Sequence, residues 1–364
     1  MSFADFYGNA ETVVRLREML GRGRFPHAVI LAGAEGAGKY TLALKLARAM
    51  NCLELRETEG LPDYCGTCAN CRRIAEAEDL DARCAEAVEA REGMRETDKR
   101  ETRIFVQPHP DVLIVPPDPP QMMIKVDQVR YMIGNIRYRP SEARTRVYIF
   151  TDSSFIKEAA NSLLKVLEEP PEYAVIFLLA RNVGDLLPTI RSRCVTFTLN
   201  HLPGSEIENL ISRERPEWNA RQRQLAARLS NGAVGRAKSL KLDEYIESRN
   251  DALTLLGAAI RSDDHSALFH TTETYRAGAE GKEKTDRLLA AIYGLLRDLM
   301  AILSSAPGLV QNVDISADLK SLAGNVDFSW IAAAAQRMGQ VHSGMRRNAL
   351  RPLSLDALVL SLER

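Results

Sequence analysis

The sequence predicts an α/β phosphate-loop domain followed by helical domains. Three observations carry that expectation: short aliphatic runs alternate with helical periodicity as far as about residue 200, a glycine-rich loop ending in lysine follows the first run, and strand patterns vanish from His201 onward. At 364 residues the chain is too long for one compact core, so roughly two or three domains are expected. Lys and Arg together number 48 and so do Asp and Glu, which gives a formal charge of zero. A chain that gripped nucleic acid alone and non-specifically would carry a basic excess, because neutralising phosphates drives such binding. Any DNA contact is therefore expected to be local or shared with partners.

Five runs read as strands of a parallel sheet: 28–32, 112–115, 147–150, 175–179 and 195–199. Their near-continuous aliphatic character fits strands covered on both faces. Between them, Leu42, Leu46 and Met50, and then Ala160, Leu163, Leu164 and Leu167, recur at helical spacing. Residues 1–200 thus form one α/β domain. Its first crossover is oversized, holding a cysteine-rich module at 52–71 and a charged insertion at 76–103 that is expected to be a solvated helix or a mobile arm. After it, helical patterns such as Gln222 to Leu229, Leu253 to Ile260, Arg287 to Leu303 and Trp330 to Met338 divide into a small helical domain, 201–243, and a terminal helical bundle, 244–364.

Gly33-Ala34-Glu35-Gly36-Ala37-Gly38-Lys39 satisfies the Walker A pattern between a strand and a helix. Gly33, Gly36 and Gly38 let backbone N–H groups turn toward phosphates, the helix N-terminus adds partial positive charge, and Lys39 adds a full one. The next residue should be Ser or Thr, whose short hydroxyl ligates Mg²⁺. It is Tyr40, with Thr41 one position later and about 100° around the helix. The third strand should end in an Asp that holds the metal and a Glu that polarises water. Thr151 and Asp152 stand there instead. The pocket is expected to hold ATP or ADP through Gly33, Gly36, Gly38, Lys39 and Thr41, without Mg-dependent hydrolysis.

Cys65, Cys68 and Cys71 follow a CxxCxxC spacing, with Cys52 upstream. The N-terminus lacks a basic, then apolar, leader and no run of about 18 apolar residues occurs, so a cytoplasmic protein with reduced thiols is expected. Clustered cysteines there read as metal ligands rather than disulfides. Four thiolates from Cys52, Cys65, Cys68 and Cys71 fit structural zinc. An iron–sulfur cluster is the rival, but its bacterial signature puts the fourth Cys downstream, next to Pro. Cys84 is an alternative fourth ligand, and Cys194 reads as a small buried hydrophobe.

Further segments fall in a recognisable order: Gly21-Arg22-Gly23-Arg24-Phe25-Pro26-His27, the cysteine cluster, His109-Pro110-Asp111, the stretch from Asn161 through Leu163, Leu164, Lys165, Leu167, Glu168, Glu169 and Pro170 to Pro171, and Arg191-Ser192-Arg193-Cys194. Together with the phosphate loop they resemble the clamp-loader branch of the AAA+ proteins. Beyond residue 200 the likeness thins to Gly232-Ala233-Val234-Gly235-Arg236, similar to the family's lid motif, and to Asn348, Leu353, Leu355, Asp356 and Leu358, similar to its last collar helix.

The resemblance implies an AAA+ domain, a helical lid at 201–243 and a helical collar at 244–364. It further implies a five-membered ring with delta and gamma or tau subunits, acting on the sliding clamp and primer-template DNA with no membrane involved. Motor subunits of the family keep GKT or GKS and an Asp-Glu pair, so the eroded acids here imply a non-hydrolysing ring member. A motor in which Thr41 and Asp152 take over the missing roles is the alternative. A phosphate-loop protein outside replication is the third reading. Arg193, in the SRC segment, is implied to reach a neighbour's γ-phosphate in trans, Arg191 reads as structural, and Arg236 as a lid sensor or a surface residue. Arg137, Arg139, Arg144 and Arg146 form a basic stretch that reads as a track for DNA phosphates or as a solvated face. Glu168 and Glu169, ahead of two prolines, read as helix termination.

Overall fold

The computed structural model describes residues 2–261, 266–275, 279–345 and 351–362, and the chain divides into two compact units. The first comprises 1–203 with the returning segment 232–236, and the second 204–231 with 237–364.

Helix α1 (Ala10–Gly21) leads into strand β1 (Ala28–Gly33), every residue of which is buried. Helix α2 (Lys39–Asn51) is followed by a hairpin, β2 (Arg56–Thr58) and β3 (Leu61–Asp63). Glu59 and Gly60 both adopt positive φ in its two-residue turn, the conformation that matches the twist of paired strands. Arg17 fastens the hairpin to α1 by donating to the carbonyls of Thr58, Leu61 and Pro62. Then come α3 (Ala69–Ala75), α4 (Leu80–Glu92), α5 (Glu96–Glu101), β4 (Val106–His109), β5 (Val112–Val115) and α6 (Val126–Ile136). Strand β6 (Arg146–Phe150), α7 (Lys157–Glu168), β7 (Ala174–Ala180), α8 (Pro188–Arg191) and β8 (Val195–Leu199) complete the unit.

The sheet runs β4-β5-β6-β7-β1-β8. The expected five strands pair in parallel as anticipated, but the sheet has six, because β4 adds to β5 in antiparallel sense. That strand escaped the sequence reading because Val106-Gln107-Pro108-His109 is not an aliphatic run. Only its two end residues are buried, and Pro108 is tolerated because an edge strand needs no donor on its outer side. Alternate residues of each strand feed two cores. Val29, Leu31, Ile149 and Phe177 pack with Leu42 and Leu46 of α2 on one face; Ile30, Phe150, Ile176 and Leu178 pack with Met132 of α6 and Leu163 of α7 on the other.

The charged insertion is helical and mostly exposed, but it is not a free arm. Arg91 is buried and pairs with Asp118 at 2.9 Å, and the same carboxylate accepts the Ile104 N–H at 3.1 Å.

The second unit is helical: α9 (Gly204–Glu214), α10 (Ala220–Leu229), α11 (Val234–Ser239, entered from the first unit), α12 (Leu242–Arg261), α13 (Ser266–Thr272), α14 (Ala279–Leu303), α15 (Ser316–Ala323), α16 (Phe328–Met345) and α17 (Arg351–Leu362). Leu225, Leu229 and Leu242 form one small core and residues between Ala252 and Leu362 a larger one. In the larger region, buried Asp298 accepts the N–H groups of Gln311 and Asn312. Of the expected collar positions, Leu355 and Leu358 are buried, Leu353 is exposed and Asp356 accepts from Thr272 at 2.7 Å, whereas Asn348 lies outside the described residues. Among the described residues no helix is long and apolar enough to cross a membrane.

Candidate functional site

The phosphate loop leaves the carboxyl end of β1, where ligands of open α/β sheets bind. Gly36 and Gly38 hold φ near +77° and +89°, which only glycine adopts without strain. Contact adds a second constraint at Gly36: a Cβ there would lie 2.8 Å from the Arg236 nitrogen, and the Gly235 N–H donates to the Gly36 carbonyl at 2.7 Å. The lid-like segment 232–236 thus packs on the loop, and the Arg236 side chain is exposed beside it.

An open cleft of about 750 Å³ extends from the loop, lined by Lys39, Thr41, Thr151, Asp152, Arg181 and the start of α4. The Lys39 ammonium donates to the carbonyls of Gly33 and Ala34 at 2.5 and 2.7 Å. Burial, and after it the charge of Arg181, holds it below the ordinary lysine pKa. Glu35 and Arg181 form an ion pair at the mouth, 3.2 Å apart. The Tyr40 phenol turns to the insertion and donates to the Ala77 carbonyl at 2.5 Å, with Cys84 packed in the same core. Burial pushes that phenol well above the usual tyrosine range. Asp152 is engaged locally, accepting the Ser154 N–H at 2.7 Å. The start of the insertion, from Glu78 to Asp81, lines the cleft, which its charge-dense composition did not signal.

The four cysteines converge on the loop between α2 and α3. Cys52, Cys65, Cys68 and Cys71 place all their sulfur atoms within 4.8 Å of one another, a cluster that could hold a metal ion. A tetrahedral ion at about 2.3 Å from each sulfur needs them roughly 3.8 Å apart, so the cluster fits. Backbone donors aim at it: Cys65 N–H points to the Cys52 sulfur at 3.2 Å, and Cys68 and Thr67 N–H point to the Cys65 sulfur at 3.3 and 3.4 Å. Burial opposes ionisation of Cys65, but those N–H groups prevail and bring its thiol to about 6. Burial pushes the Cys52 and Cys71 thiols up, which a bound cation would reverse. Cys84 lies outside the cluster, and burial lifts its thiol to about 11. Cys194 is half-buried, its thiol pushed to about 12 by burial.

Arg193 closes the turn after α8, where its guanidinium reaches Glu168 at 2.5 Å and the Thr189 carbonyl at 2.9 Å. Glu168 is therefore more than a helix terminus. Of the basic stretch, Arg137, Arg139 and Arg144 are exposed but Arg146 is not available to a ligand, because it donates to Asp111 at 3.1 Å and to the Asn135 carbonyl at 2.7 Å. Its place at the first position of β6, beside the buried carboxylate that precedes the paired strand β5, explains the difference.

A family model described as DNA polymerase III, delta subunit, matches residues 8–203. The chain is 28% identical to the DNA polymerase III subunit tau of Escherichia coli K12 over 85% of its own length and 45% of that protein's. It is 27% identical to the DNA polymerase III subunit delta' of Bacillus subtilis, over 77% of this chain and 74% of the other. A gamma subunit-related protein of Thermotoga maritima aligns over 96% of this chain and 98% of its own with a TM-score of 0.42 at 19% identity. The chain spans less than two thirds of the length of the first tau and gamma relatives it matches. Since the match covers more than half of the 364 residues and takes in the phosphate loop, the cysteine cluster and Arg193, the chain belongs to the DNA polymerase III delta-subunit family.

Proposed function

We propose that this chain is a delta-prime-type subunit of a cytoplasmic DNA polymerase III clamp loader: a ring member that does not turn over ATP itself and supplies Arg193 to a neighbour's nucleotide. The observation that carries the reading is the fate of Tyr40. Its side chain stands where a Mg²⁺-ligating hydroxyl belongs, and its oxygen is committed to the Ala77 carbonyl. With Thr151 and Asp152 in place of an Asp-Glu pair, the cleft keeps a backbone cradle for phosphate and lacks the groups that hold metal and polarise water. Gly33, Gly36, Gly38, Lys39 and Thr41 would hold ATP or ADP.

The rest of the reading follows the family. Residues 1–200 act as an AAA+ domain, 201–243 as its lid and 244–364 as a collar that assembles with delta and gamma or tau subunits in a five-membered ring. The ring loads the sliding clamp onto primed DNA, with Arg137, Arg139 and Arg144 facing phosphates. Arg193, held by Glu168 in this chain, exchanges that carboxylate for a neighbour's γ-phosphate, where such fingers contribute roughly 10³ to 10⁵ in rate. Cys52, Cys65, Cys68 and Cys71 hold a structural zinc ion, four sulfurs leaving no open position for chemistry.

The test is ATP turnover by the purified chain, then by the ring assembled with delta, gamma, clamp and primed DNA, with Arg193 or Ala at that position. No turnover alone, and partial loss of ring activity with Arg193→Ala, is expected. Turnover by the isolated chain that disappears with Lys39→Ala would establish the motor reading instead. Equal rates from two fully assembled rings would remove the trans role of Arg193.

A further inference from the structure

Two buried asparagines sit one residue from ligand cysteines: Asn51 before Cys52 and Asn70 before Cys71. Asn51 clamps the backbone of Thr145 from both sides, donating Nδ2 to its carbonyl at 2.9 Å and accepting its N–H at 2.9 Å. Asn70 donates to the Asn51 carbonyl at 3.0 Å. Its own carbonyl faces His109 Nε2 at 3.2 Å, and because Asp111 N–H points at His109 Nδ1, the imidazole is neutral with its proton on Nε2. Asp111, also buried, accepts the N–H groups of Ser141, Glu142 and Ala143 at 2.8 to 3.0 Å. Arg73, two residues past Cys71, pairs with Glu142 at 2.5 Å. Asn51, Asp111 and Arg73 reach the segment 141–145 directly, and Asn70 reaches it through Asn51 and through His109; that segment closes the loop bearing exposed Arg137, Tyr138, Arg139 and Arg144.

We propose that the cysteine centre sets the shape of the arginine loop, with Asn51 and Asn70 as the positioning residues that transmit its geometry to residues 141–145. The inference rests on the reading that the four cysteines hold a metal ion. Sulfurs fixed on one ion fix the two peptide segments that precede them, and with them the donors and acceptors of both amides. With the ion removed, the Cys52 and Cys71 segments are free to separate, and the clamp on Thr145 opens with them. The neutral chain concentrates basic side chains on this loop, so a surface for a phosphodiester backbone is held in register by a metal about which it is not itself wrapped.

The experiment is amide hydrogen exchange on the full chain, resolved for residues 137–146 and for β7 as an internal reference, with metal content measured on the same samples. Stripping the metal with a chelator should speed exchange at 141–145 by about tenfold or more, leave β7 protected, and be reversed by added Zn²⁺. Asn51→Ala should speed exchange at the same residues while retaining the metal, and added Zn²⁺ should not restore it; Asn70→Ala gives the same pattern should Asn51→Ala unfold. Trypsin should cut faster after Arg137 and Arg144 in each loosened form, the Arg139–Pro140 bond being resistant in all of them. Loss of metal with unchanged exchange at 141–145, or a metal-replete Asn51→Ala chain with wild-type protection, overturns the inference. Absence of metal from the purified wild-type chain defeats the metal reading separately, and with it the metal dependence of the loop.

Discussion

The cleft at the glycine-rich loop and the cysteine centre are built in opposite ways. In the cleft the geometry is set by the backbone, through the positive φ of Gly36 and Gly38, with Tyr40, Thr151 and Asp152 among the side chains that line it. In the cysteine centre all four side chains converge. The contrast teaches what each site asks of its residues. A phosphate cradle is made of N–H groups and glycine torsions and depends little on side chains, and here the loop is also structural: Gly36 receives the segment 232–236. A four-thiolate centre has no backbone remnant to fall back on, since binding free energy there is folding free energy.

Removing one thiolate should therefore do far more damage than removing the loop lysine. Cys68→Ser should abolish stoichiometric zinc, whose binding in small four-ligand sites is worth on the order of 10 kcal/mol, and lower the melting temperature by about 10 °C or more. Elemental analysis and calorimetry on one preparation check both, and iron in place of zinc, or no metal with an unaltered melting curve, would undo the contrast.

Asp111 gives a second, smaller contrast. Burial would raise its pKa, but the N–H groups of Glu142, Ser141 and Ala143, with Arg146, hold it below the ordinary carboxylate value. A depressed folded-state pKa means stability that is complete above about 3.9, the unfolded value, and is lost as pH falls through the lower folded value. Asp111→Asn should remove this part of the acid dependence and cost roughly 3 kcal/mol at neutral pH, since the half-buried Arg146 is left without its anion and the three N–H groups lose a charged acceptor. Denaturant titrations from pH 7 to pH 2 measure it, and superimposable stability curves for the two proteins would show that the carboxylate is not charged in the fold.

The smallest effect on activity is expected at Tyr40. Tyr40→Thr supplies the missing short hydroxyl, yet turnover should stay at background because Thr151 and Asp152 are unchanged and such groups act as a unit. Stability should fall by about 2 kcal/mol as the half-buried ring and its bond to Ala77 are lost. Recovery of hydrolysis by this one change would mean that the cleft lacks a ligand and nothing else.

What was legible in the sequence was what repeats or clusters. Five aliphatic strands, the glycines and lysine of the loop and the CxxCxxC spacing declare themselves because buried parallel strands, phosphate cradles and tetrahedral ions each demand a residue pattern. Other features depend on partners far away in sequence. Nothing local marks Asn51 as the clamp of Thr145, 94 positions on, or Asp118 as the counter-ion of Arg91 in a helix that reads as solvated. Arg146 is the instructive case: beside Arg137, Arg139 and Arg144 it looks like one more surface charge, and only the position of Asp111, at the head of the strand paired with β6, shows otherwise.

The short antiparallel β4 has a consequence for how the molecule keeps company. An open sheet ends in a row of unmatched backbone groups that invites any passing strand to add itself. Here that end is four residues long, shifts register between Val106 and His109, and offers Pro108 where a donor would otherwise stand. Indiscriminate strand exchange along this border is thereby disfavoured, and replacing Pro108 with a β-branched residue would restore an adhesive margin.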